Sequence, residues 1–168
     1  MSLPRLTRAT LFCGTLITIA AGCSQFDPQL QEDRAYVRVL MPLLQDNALL
    51  SERVLIEAAA VYNDKSDPEK LGETWSTEIV PLAEHLHSQC SFAAAPESWT
   101  TQHGELVDIW GSRAKAYRAL SDAIVMADDQ EWQAARDLAD GVKLSEEKWF
   151  QNTNQRLLLN GLAVDQFP

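Results

Sequence analysis

PEKLGETWSTEIVPLAEHLHSQCSF, residues 68–92, carries the pattern that decides the fold. Leu71, Trp75, Ile79, Leu82, Leu86 and Cys90 recur in steps of three and four. That spacing puts them on one stripe of an amphipathic helix. Asp67-Pro68-Glu69 is a helix start, with a capping carboxylate ahead of a proline that suits the first turn. Pro81 falls inside the stripe. An internal proline costs roughly 3 kcal/mol unless the helix bends around it, so a kink is expected there.

Both flanks repeat the pattern. Upstream, Tyr36, Val37, Leu40, Met41, Leu44, Ala48, Val54, Leu55, Ala58 and Val61 read as a first helix from about Pro28 to Asn63. Pro42 lies inside it and predicts a kink or break near Leu40 to Pro42. Downstream, 91–97 reads as a loop. A third helix begins near Pro96, with the stripe Trp99, His103, Leu106, Trp110, Arg113 or Ala114, Tyr117, Leu120 and Ile124. The acidic turn 128–131 starts a fourth helix, from about Gln130 to Leu159. Its stripe holds Trp132, Ala135 or Arg136, Leu138 or Ala139, Val142, Ser145 or Glu146, Trp149, Thr153 and Leu157. In the tail, Leu162, Val164 and Phe167 are expected to fold back on the bundle. The whole reads as all-α: an antiparallel four-helix bundle whose first and second helices are kinked by proline.

The N-terminus has a different character. Residues 1–8 hold two arginines and no acid, and Thr10 to Ala21 is largely apolar but short for a membrane span. It ends in Ala20-Ala21-Gly22-Cys23. This resembles the lipobox of bacterial lipoproteins, with Ala20 where leucine is most usual. The resemblance implies cleavage before Cys23, diacylglycerol on its thiol, and acylation of the freed amine by a chain such as palmitate. Residues 1–22 are then a signal peptide, 23–29 the lipidated cysteine and a short tether, and 30–168 the bundle. Ser24 is compatible with the outer membrane where the host has two. The implied place is the cell envelope, facing the periplasm or the surface.

Without residues 1–22 the chain keeps 146 residues, enough for one domain with a core of its own. It then carries 12 basic and 24 acidic residues. Such a surface repels nucleic acid and anionic lipid, so no nucleic-acid partner is expected. Once Cys13 is removed and Cys23 acylated, Cys90 is left without a disulfide partner in the chain, and burial is expected for it.

Few residues suggest chemistry. Glu84, His87 and Cys90 follow one another at three-residue spacing. Di-iron bundles need two Glu-x-x-His units and two further glutamates, and this chain fails on count. A mononuclear site from His87, Cys90 and His103 lacks a second paired ligand, so no metal or cofactor is expected. No glycine-rich phosphate loop or nucleophile elbow is present. Five tryptophans on inner stripes read first as core filling. The alternative is an aromatic ligand pocket along Trp99, His103 and Trp110.

Pro96, Trp99, His103 and Asp128-Asp129 resemble part of the pattern of helical lipoproteins of unknown function, a likeness that carries no activity. The expectation is a non-enzymatic, lipid-anchored bundle that binds another envelope protein. A small-ligand or metal-binding bundle is the alternative.

Overall fold

A computed structural model describes residues 28–62 and 67–160. The lipobox-like stretch, Cys23, the tether up to Asp27 and the tail 161–168 lie outside the described residues. The elements are α1 (Pro28–Tyr62), α2 (Pro68–Thr74), a π-helical turn (Trp75–Ile79), α3 (Val80–Phe92), a 3₁₀ turn (Glu97–Trp99), α4 (Thr100–Met126) and α5 (Asp129–Leu159). Backbone dihedrals stay right-handed α through Thr74, Trp75, Ile79 and Val80, so α2, the π turn and α3 form one continuous rod. The described residues contain no strand, and four rods make an all-α bundle.

Caps set the rod boundaries. The Asp67 side chain accepts from the Glu69 amide at 3.1 Å. Asp128 accepts from Gln130 and Glu131 at 2.9 and 3.0 Å. Each satisfies amides that have no partner inside the helix. Between α4 and α5 the chain reverses through Ala127, which is left-handed at φ 53°. Its amide bonds the Ile124 carbonyl, and that of Asp128 bonds Ala123. This is the reversal usually given to glycine.

The two internal prolines are handled differently. α1 runs through Pro42 without a break. Pro42 and Arg38, whose carbonyl loses its partner, both face solvent, where water can replace the missing bond. At Pro81 the rod widens just upstream, and the Val80 amide bonds the Trp75 carbonyl five residues back. The hydroxyls of Ser76 and Thr77 donate to the Glu73 carbonyl. The widened turn shifts the buried face. Val80 and Ala83 turn inward, Leu82 is only partly buried, and Pro81 lies on the outside rather than in the stripe.

Side-chain contacts fix the directions. Asp33 near the start of α1 meets Ser98 and Trp99 at the start of α4 and Arg156 near the end of α5. At the other end, Gly72 in α2 lies against Ile124 and Val125 at the end of α4. Neighbouring rods therefore run antiparallel. The core joins Tyr36, Leu40, Leu44, Ile79, Leu86, Leu106, Trp99, Trp110 and Trp149. Trp75 is also buried, whereas Trp132 is only partly so.

Candidate functional site

Two buried polar clusters lie inside the bundle. The first closes the end where α1 begins. Arg156 donates from Nε to Asp33 Oδ2 at 3.1 Å and from Nη2 to Asp33 Oδ1 at 2.6 Å. It also bonds the Ser98 hydroxyl and carbonyl. Trp99 Nε1 donates to Asp33 Oδ1 at 2.9 Å. The guanidinium carbon of Arg156 stands 4.1 Å from the Trp99 ring centroid, a cation–π contact. Burial opposes ionisation of Asp33. Hydrogen bonds from Arg156, Trp99 and Ser98, with the Arg156 charge, outweigh it and hold the carboxyl below its ordinary range.

An aromatic stack continues inward. Tyr36 lies 5.1 Å from Trp99 and 5.7 Å from His103, ring centre to ring centre. The Tyr36 hydroxyl is 2.6 Å from His103 Nδ1. Burial raises the tyrosine pKa, with Cys90 adding to the rise, and burial lowers that of the histidine. Both groups are then neutral near pH 7. The pair shares one hydrogen bond, in which the hydroxyl donates to Nδ1 when the ring proton is on Nε2.

The second cluster lies at mid-height. Arg113 in α4 bonds Asn47 Oδ1 of α1 and Glu146 Oε2 of α5. Asn47 Nδ2 reaches Glu146 Oε1 at 3.2 Å, and Trp110 Nε1 donates to the same oxygen at 2.9 Å. Three helices are thus joined by one paired charge whose hydrogen-bonding capacity is largely used. Such a ring fixes which helix faces which.

The residues singled out from the sequence are not gathered into a site. Trp99 and Trp110 are buried with their N–H groups bonded, so they fill the core instead of lining a pocket. Cys90 is fully buried in the apolar cluster, and burial pushes its thiol up to about 12. It is a protonated core residue, unsuited to binding a metal as thiolate. His87 packs against Gly111, where an added Cβ would come within 2.9 Å of its Nε2. His103 is taken up by Tyr36. Among the described residues no three His, Cys, Asp or Glu side chains are grouped to hold a metal ion.

The sequence reading gave Asp33 no inward role and carried Glu146 only as an alternative to Ser145 on the inner stripe; the structure buries Asp33 and sets Glu146 against Arg113. Their signal was present for Glu146, which shares a stripe with Val142, Trp149 and Thr153. Asp33, three residues before Tyr36, could have been found in the same way. Among the described residues an open depression of about 350 Å³ lies between α4 and α5, edged by Asp108, Ser112, Asp137 and Ser145. It contains no aromatic or histidine side chain. No family model, curated protein or solved structure matches the chain.

Proposed function

We propose that the chain is an exported envelope lipoprotein, held by acyl chains on Cys23, whose bundle is a non-catalytic module that binds another envelope protein. The lipobox-like stretch 16–24 supports the anchor. The exposed outer half of α1 supports the binding role. Leu49, Leu55 and Ile56 are 60, 62 and 52% exposed, and Leu49 and Ile56, seven residues apart, share one stripe. Asp33, His103, Arg113, Glu146 and Arg156 are bonded to partners across helices, which favours a binding module over an enzyme. No described helix is long and apolar enough to cross a membrane.

The test has two parts. Mass spectrometry of the mature N-terminal peptide is expected to show a diacylglyceryl thioether on Cys23, and Cys23→Ala is expected to stay unprocessed. A photo-crosslinker at Ile56 is expected to give one discrete adduct in living cells, lost in Leu49→Glu. An unmodified Cys23 removes the anchor. A crosslinker that gives no adduct, or one indifferent to Leu49→Glu, removes the binding role of this face.

A further inference from the structure

The rim where α1 begins differs from the rest of the surface. Phe92 at the end of α3 is 85% exposed, and Leu158 and Leu159 at the end of α5 are 51 and 76% exposed. The chain around them carries little net charge: the first two turns of α1 add only the exposed, opposite charges Glu32 and Arg34. From Ser88 to Gln102 the only charged residue is Glu97, and from Phe150 to Asn160 the only one is Arg156. Arg156 is neutralised internally by Asp33. The opposite end carries Asp67, Glu69 and Glu73 at the start of α2, and Asp128, Asp129 and Glu131 at the start of α5. The apolar rim and the acidic end are thus at opposite ends of the bundle.

We infer that the Phe92–Leu158–Leu159 rim rests on the lipid bilayer, so that the bundle stands upright with its acidic end outward. This rests on the proposed acylation of Cys23. Only Ser24 to Asp27 separate that cysteine from Pro28, a reach of at most about 18 Å. The rim therefore cannot stray far from the bilayer. The 31 residues of α5 span about 46 Å. An upright bundle keeps the six acids of the far end several Debye lengths from an anionic surface, at ~8 Å each in physiological salt. A bundle lying on its side would bring them within that range. Charge therefore selects the upright pose, and the apolar rim is the surface suited to the interface.

The test uses the mature acylated chain, isolated from the envelope and placed in phosphatidylethanolamine–phosphatidylglycerol vesicles. Nitroxide labels are attached in turn to Phe92→Cys and Asp129→Cys; buried Cys90 does not compete for the label. Collision with oxygen, which enriches in lipid, is compared with collision with a water-soluble nickel chelate. The Phe92 label is expected to collide several-fold less with nickel and more with oxygen than the Asp129 label. Equal nickel accessibility at both positions, with acylation verified by mass, overturns the upright pose and leaves the anchor standing. A chain found unacylated by mass overturns both.

Discussion

At the end where α1 begins, Asp33, Ser98, Trp99 and Arg156 tie three elements together around a buried carboxylate. At the opposite end, α1 has no buried residue from Ser51 to Val61, and α5 buries only Ala135 before Val142. The first end is held by charge-assisted hydrogen bonds over a dry aromatic stack. At the second, Leu71, Trp75, Leu120 and Ala123 are buried in the second rod and α4, but α1 and the start of α5 contribute mainly partly buried side chains such as Val54, Val61 and Trp132, and the exposed pair Arg53–Glu78. Exposed pairs of that kind contribute about 0–1 kcal/mol. One sequence pattern of amphipathic helices thus builds a closed end and a loose one. The closed end fixes helix order, while the loose end leaves apolar surface free for a partner.

Substitutions can break this contrast, and the largest effect is expected at mid-height. Arg113→Met strands the Glu146 carboxylate and is expected to lower stability by about 3–5 kcal/mol in urea unfolding. Adding Glu146→Leu should restore much of the loss, because a well-packed apolar pair can replace a buried ion pair. If the double variant is no better than the single, the ring is not an isolated pair.

Leu44→Ala, in the closed part of α1, should cost about 2–5 kcal/mol, whereas Leu55→Ser in the loose part should change stability by no more than about 0.5 kcal/mol. Similar losses at both positions would end the distinction between the two halves.

Acid should attack the closed end in two stages. His103 has a folded pKa below its ordinary 6.5, so the unfolded chain binds more protons and stability falls as pH drops from that value. Asp33 also has a lowered folded pKa. Its contribution is complete above its ordinary 3.8 and is lost as pH falls through the folded value. Melting curves of His103→Gln should lose the first stage, and those of Asp33→Asn the second.

The smallest effect sharpens the loose end. Ala127→Gly relieves a left-handed alanine in the α4–α5 turn and is expected to stabilise by up to about 1 kcal/mol.

The four rods were legible because their stripes are long and their caps conventional: Asp67, Pro68 and Asp128 mark starts within a residue or so of those observed. Beyond Ile79 the stripe departs only locally: next to the π turn Val80 and Ala83 point inward and Leu82 is only partly buried, while Leu86 and Cys90 are buried as read. Asp33 was missed, and Glu146 was read only as an alternative to Ser145 on the inner stripe. An acid looks like solvent surface until its guanidinium, supplied by a helix far away in sequence, is known. Arg113 appeared on a stripe as an alternative to Ala114, and both proved buried. Trp75, Trp99, Trp110 and Trp149 are core as read, whereas Trp132 is only partly buried.

Those tryptophans also make the protein its own optical probe. Trp99, Trp110 and Trp149 are nearly sealed from water, each with its indole N–H bonded to a fixed acceptor. Trp132 is half-buried at the start of α5. Its emission should lie to the red of the other three and respond first when the loose end is covered or frays. Trp99, under the Arg156 guanidinium, should report only when the closed end opens. Each end of the bundle can thus be followed by its own intrinsic fluorescence, without an added label.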